Sequence, residues 1–134
     1  MKLYNVGYLE NHDIDKKGNI LMNKITSKSS NSFGFKKNKH KKILVMVQAN
    51  FCGHCTNAKP AFQKLAYENN DIFCVTIHGD SENDSEKKLK NRIEEIYPDF
   101  KGFPHYSLHN ENGKRIKQNV EHGREYEDLK KFAS

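Results

Sequence analysis

The stretch Ile43-Leu44-Val45-Met46-Val47-Gln48-Ala49-Asn50-Phe51-Cys52-Gly53-His54-Cys55-Thr56-Asn57-Ala58-Lys59-Pro60-Ala61-Phe62 decides the fold. It opens as a short, nearly unbroken apolar run rich in β-branched residues, the pattern of a buried strand. It then turns through Cys-x-x-Cys and continues as a helix. Ala58, Ala61, Phe62, Leu65 and Ala66 fall at i, i+3, i+4, i+7 and i+8 and make one apolar stripe. Both thiols therefore sit in the first turn of that helix. A helix N-terminus presents unpaired N–H groups and about half a unit of positive charge, so it favours a sulfur as thiolate. The thiolate is the nucleophile of disulfide exchange.

The rest of the 134-residue chain is consistent with one domain of modest core. Hydrophobic content is 35% and mean hydropathy −0.93, which leaves a very polar surface. The net charge of +6 is carried by Lys, with Arg only at positions 92, 115 and 124. Scattered Lys without an Arg-rich patch reads as solubility and loose attraction to acidic partners, so neither nucleic acid nor membrane is expected as a partner. The N-terminus has no apolar segment of signal-peptide length and no run reaches a membrane span, so the expected location is cytoplasmic. Three cysteines, two of them two residues apart, make no disulfide framework. In a reducing compartment such a pair is catalytic or metal-binding.

Before residue 43, Val6 to Leu9 can start a strand, Asn11 to Asp15 a turn or short helix, and Gly18 to Asn23 a short extended piece. Residues 24–42 are rich in Lys, Ser and Asn and read as a basic loop, with Phe33 and Phe35 available to pin it. The expected partition is 1–42, an N-terminal strand plus basic extension, and 43–134, the main domain. After the first helix, Asp71 to Ile77 is a second buried strand. A helix follows with Leu89, Ile93, Ile96 and Tyr97 on one face, capped by Ser81, Asp84 or Ser85 and ended by Pro98. Gly102-Phe103-Pro104 precedes a third strand at His105–His109. The turn Asn110-Glu111-Asn112-Gly113 pairs it antiparallel with a fourth around Ile116 to Val120. A last helix carries Tyr126, Leu129 and Ala133 inward. The order β-α-β-α-β-β-α gives an α/β domain with a central mixed sheet flanked by helices.

A zinc site is the competing use of the thiols, since Cys52-x2-Cys55-x18-Cys74-x3-His78 has four ligands in sequence. If Ile72–His78 is a strand, Cys74 and His78 stand about 13 Å apart along it, too far to share one ion. The redox reading is preferred and no metal is expected. Cys74 is then a small core residue. His54, between the two cysteines, can offer an N–H or a positive charge to a thiolate and make the disulfide more oxidising. His12, His40, His105, His109 and His122 read as surface or strand-end residues, with His105 able to line the site.

This order, with Phe51-Cys52-Gly53-His54-Cys55 after the central strand and Gly102-Phe103-Pro104 before the antiparallel pair, resembles the thioredoxin superfamily over residues 43–133. Leu9 to Asp15 resembles the family's first strand running into its first helix. Pro60 falls where the family kinks its active-site helix. Cys-Gly-His-Cys, together with Gly123-Arg124-Glu125, is similar to the catalytic domains of protein disulfide isomerases. The Lys, Asn and Ile richness suits an AT-rich genome, and the strand-to-helix segment resembles thioredoxin-like proteins of giant viruses. The chain departs from the family in having Phe51 for Trp, Thr56 for Lys, and Met46 where a buried acid accepts a proton.

The resemblance implies a thioredoxin fold and a thiol–disulfide oxidoreductase needing no cofactor. Cys52 would be the exposed nucleophile and Cys55 the buried resolving thiol, with His54 and Arg124 tuning their ionisation. Phe51, Gly53, Phe103 and Pro104 would contact substrate. A cis Phe103–Pro104 bond would leave the Phe103 backbone able to pair with an extended substrate strand. The partners would be protein thiols and disulfides, and a thiol oxidase or disulfide reductase that resets the site. Two alternatives stay open: a thioredoxin-type reductase fed by a reductase partner, and a non-catalytic adaptor of the same fold.

Overall fold

The computed structural model describes residues 3, 6–26, 36, 39–49, 53–69, 71–118 and 125–134. A two-residue strand, Gly7–Tyr8 (β1), leads through a helical turn at Asn11–Asp13 to a short helix, Met22–Thr26 (α1). Strand Lys42–Gln48 (β2), helix Gly53–Glu68 (α2) and strand Ile72–His78 (β3) follow. Helices Asp84–Lys90 (α3) and Ile93–Ile96 (α4) come next, then strands His105–Asn110 (β4) and Arg115–Gln118 (β5) and helix Tyr126–Phe132 (α5). The five strands lie in the order β1-β3-β2-β4-β5.

β2 is the centre of this sheet. It runs parallel to β3, with Ile43 beside Phe73 and Gln48 beside His78, and antiparallel to β4, with Val47 beside His105 and Lys42 beside Asn110. Covered on both edges and both faces, it has no position for an exposed polar side chain, which is why its sequence does not alternate. Its side chains divide by the two-residue period. Ile43, Val45 and Val47 join Phe73, Val75 and Ile77 of β3 under Leu89, Ile93, Ile96 and Tyr97. Leu44 and Met46 face the other way, with Cys74, Tyr106 and Leu108, against Ala58, Phe62 and Leu65 of α2 and Leu129 of α5. Full burial of such side chains contributes about 1.5–3 kcal/mol each.

The helices follow the apolar spacing, with three differences from the sequence reading. The segment after β3 divides at Asn91 and Arg92 into α3 and α4, although Leu89, Ile93, Ile96 and Tyr97 are all buried as expected. The cap is Asn83 rather than Ser81, Asp84 or Ser85: its Oδ1 accepts from the Glu86 N–H at 3.0 Å. Ser85 is occupied elsewhere, its Oγ accepting from the Asn11 N–H at 3.2 Å. Third, Met22–Thr26 is helical where an extended piece and a loop were expected, and Ile25 is buried from it. Five residues are too few to display a helical period.

The N-terminal segment is tied to the sheet. β1 pairs parallel with β3, Gly7 beside Val75 and Tyr8 beside Thr76. Leu9, Ile14, Ile20 and Ile25 enter the same core as Ile43. The far end of the basic segment is ordered by His40, whose backbone N–H donates to the Lys36 carbonyl at 2.8 Å and whose ring lies 4.9 Å from that of Phe73. Phe33 and Phe35 lie outside the described residues.

The expected hairpin joins β4 to β5. Asn110 Oδ1 accepts from the backbone of Asn112 and Lys114, and Gly113 adopts φ +87°. A Cβ at Gly113 would collide with the carbonyl oxygen of Ile20, whose own N–H donates to the Gly113 carbonyl at 2.8 Å. Glycine is therefore required twice at this position, by the turn and by the neighbouring strand piece. β5 ends at Gln118, and residues 119 and 120 lie outside the described residues.

Candidate functional site

The C-terminal end of β2 and the beginning of β4 are neighbours, since Val47 is paired with His105. α2 begins at Gly53, a few residues past the end of β2, and Phe103-Pro104 immediately precede β4. The Cys-x-x-Cys helix and the proline loop are thus brought to the same end of the sheet by two adjacent strands. Gly53 and His54 are exposed in the first turn of α2, whereas Cys55 has no exposed surface. The stripe that buries Ala58, Phe62 and Leu65 carries Cys55 inward with them, because three and four residues bring a side chain back to the same helix face.

The Phe103–Pro104 peptide bond is cis, as the resemblance implied. Both residues are partly exposed. The Phe103 ring packs edge-on against Phe100 at 5.3 Å and rests on Gly79, where a Cβ would come within 2.8 Å of it. Gly79 in turn donates its N–H to the Gln48 carbonyl at 2.6 Å, which fixes the end of β3 to the end of β2. Beside this junction His78 Nε2 lies 2.7 Å from Asp80 Oδ1, and the Tyr8 ring meets the His78 ring edge-on at 6.0 Å. Burial raises the Tyr8 hydroxyl pKa.

The histidine assignments need correction. His40, His105 and His109 are buried rather than at the surface, although His105 does stand at a strand end, as the first residue of β4. His105 follows the cis bond but turns into the core, its ring 4.9 Å from Tyr97 and 5.5 Å from Phe100. His109, two pleats further along the same face, sits in a polar chain. Its Nδ1 lies 3.0 Å from the Gly113 carbonyl and its Nε2 2.6 Å from Ser107 Oγ, which is 3.2 Å from the Tyr97 hydroxyl. A carbonyl only accepts, so the proton belongs on Nδ1 and Nε2 accepts from Ser107. Burial lowers the His109 pKa to about 4 and raises that of Tyr97 to about 12.

Cys74 is a buried core residue on the α2 face of β3, and burial raises its thiol pKa. Cys74 and His78 lie four residues apart on β3, the extended spacing on which the argument against a shared ion relied. Phe51, Cys52 and Arg124 lie outside the described residues. Three features, only the first and last of them at this end of the sheet, were missed from sequence. They are the His78–Asp80 pair, the Tyr97–Ser107–His109 chain, and Lys59, whose side chain is only 2% exposed. The signal for Lys59 was present: it lies one helical turn after Cys55 and one residue past a core alanine.

Residues 24–134 match the family model described as Thioredoxin. The chain belongs to the thioredoxin family. Within this family of redox proteins, it is 34% identical over 137 residues to a thioredoxin-like protein, 453L, of Invertebrate iridescent virus 6, covering 92% of this chain and 88% of that one. A protein disulfide-isomerase of Ricinus communis is 32% identical over 82 residues, which are 60% of this chain and 16% of the isomerase. Thioredoxin f2 of Chlamydomonas reinhardtii superposes with a TM-score of 0.59 at 16% identity, over 95% of this chain and 92% of that one. Thioredoxin f2 in a complex with ferredoxin:thioredoxin reductase gives 0.56 at 14% identity, over 96% and 91%. The mixed sheet flanked by helices is thus the thioredoxin fold. Among the described residues no helix is long and apolar enough to cross a membrane.

Proposed function

We propose that this thioredoxin-family protein is a thiol–disulfide oxidoreductase that exchanges disulfides with protein substrates through Cys52 and Cys55. The Cys52 thiolate attacks one sulfur of a client disulfide, forming a mixed disulfide and releasing the other client sulfur as a thiolate. Cys55 then attacks the Cys52 sulfur, forming the Cys52–Cys55 disulfide and releasing the second client thiol. Two electrons pass from the protein dithiol to the client, and the reverse sequence oxidises a client dithiol.

One observation carries this reading. Buried Cys55, in the first turn of α2, and the Phe103–Pro104 loop stand at the same end of the paired strands β2 and β4. An attacking sulfur just before Gly53 would meet a client laid along that loop, with Phe51, Gly53, Phe103 and Pro104 as its contacts. His54 would tune the thiolate from its exposed place between the cysteines, and Arg124 would act on the second sulfur. The Cys-Gly-His-Cys sequence and the partial match to a disulfide-isomerase support an isomerase-like potential. The likeness to thioredoxin f2 bound to a reductase supports the second reading, in which a reductase partner resets the site. The potential separates the two, at about −180 mV for isomerases and about −270 mV for thioredoxin.

Turnover of insulin disulfides in the presence of a dithiol donor tests the reading. The unsubstituted protein should accelerate it, and Cys52→Ser should abolish the acceleration. No acceleration by the unsubstituted protein would leave the adaptor reading in its place.

A further inference from the structure

Release of the mixed disulfide requires Cys55 to ionise while it is buried, and desolvation disfavours a buried thiolate. β2 brings no charge to this face: Leu44 and Met46 are apolar and fully buried, Met46 is flanked in register by Thr76 and Tyr106, and the buried Gln48 that ends the strand is an uncharged amide. Lys59 stands four residues after Cys55 on α2 and is 2% exposed. Residues four apart are neighbours on one face, with Cβ atoms about 5–6 Å apart. Helical side chains lean toward the N-terminus, so Lys59 leans over the turn that carries Cys55. Lysine is almost never this buried without a charge or polar partner to justify it.

We propose that Lys59 is the positive group that favours the Cys55 thiolate. The inference rests on the dithiol chemistry proposed above and adds to it a residue that acts through Cys55. In the resolving step Cys55 gives up its proton and the thiolate, facing the Lys59 ammonium, attacks the Cys52 sulfur. The bond between Cys52 and the client sulfur breaks, the client leaves as thiolate, and it takes up the proton that Cys55 lost. The charge on Lys59 is unchanged throughout. Other titratable groups facing this cluster among the described residues are Cys74 and His78 of β3, Tyr106 of β4 and Tyr126 of α5. Lys64 and Lys130 lie over the Tyr126 ring. Of the lysines on this face, Lys59 alone is both buried and one turn from Cys55.

The test needs no client. In a Cys52→Ser, Cys74→Ala background Cys55 is the sole thiol, and its thiolate absorbance against pH titrates it directly. Lys59→Met and Lys59→Gln should each move the midpoint up by about one pH unit or more, at least tenfold less thiolate at a fixed neutral pH. Lys59→Arg should hold it near the starting value, and thermal melting of each variant checks that it is folded. An unmoved midpoint in the Met or Gln variant overturns the proposal. So does an equal rise in the Arg variant, or a rise on Arg124→Ala with none at Lys59. Because the titration is read without turnover, failure of the unsubstituted protein to reduce insulin would refute the exchange reaction alone.

Discussion

His109 should make the fold acid-sensitive in a way that one substitution removes. The imidazole is buried between Ser107 and the Gly113 carbonyl and is held neutral there. Its pKa falls from 6.5 to about 4, chiefly through burial; the Gly113 carbonyl opposes this, the Arg115 charge adds to it, and Asp15 opposes it. The folded pKa lies below the unfolded one, so the unfolded chain takes up the proton first. The stability held by neutral His109 is complete above about pH 6.5 and is lost as the pH falls toward about 4. The gap of about 2.5 pH units, at about 1.4 kcal/mol each, gives about 3 kcal/mol over the window and about 2 kcal/mol by pH 5. His109→Gln keeps an amide in place of the ring and cannot titrate. Urea unfolding of both proteins at about pH 7.5 and about pH 5 reads the effect. The substituted chain should be less stable at the higher pH, but should lose about 2 kcal/mol less on acidification. His40, also lowered by burial, is present in both chains and drops out of the difference. Equal acid losses in the two proteins would refute the argument.

Three other substitutions test the fold and the site. Asn83→Ala removes the side-chain acceptor for the Glu86 N–H and should cost about 1 kcal/mol, read as a lower urea midpoint with an unchanged slope. Gly113→Ala places a methyl group against the Ile20 carbonyl at a positive φ, and should cost more than the loss of that cap in the same urea assay. His54→Pro replaces the exposed ring beside Cys55 and should lower the disulfide potential by tens of millivolts in a glutathione buffer, where about 30 mV corresponds to about 1.4 kcal/mol. An unchanged potential would remove His54 from the tuning of the thiolate.

The fold was legible wherever burial writes itself as a period or a run. The apolar run at 43–47, the α2 stripe and the Asn-Gly turn each carry their cause in neighbouring residues, and all three elements form as read. What was not legible depends on contacts between distant parts of the chain. Ser85 looks like a cap until its Oγ is found bonded to Asn11, 74 residues away. His105 and His109 look like surface residues because imidazole suits either environment. Only the aromatic wall of Tyr97 and Phe100, and the Ser107–Gly113 partners, make them core residues. At the site, Cys55 and the Phe103–Pro104 segment stood out by motif, while Lys59 passed as one more surface lysine in a chain rich in them. Its burial follows from the helix face it shares with Cys55, which a wheel drawn through Cys55 would have displayed.

The central claim is that Cys52 attacks and Cys55 resolves. With Cys55→Ser the first step proceeds and the second cannot, so the protein should accumulate mixed disulfides with disulfide-bearing client proteins. Mass mapping of the trapped adducts after non-reducing electrophoresis is the direct measurement. Adducts joined through Cys52 are expected, absent in the Cys52→Ser, Cys55→Ser chain and released by dithiothreitol. Adducts joined through Cys74, or none that a reductant releases, would contradict it.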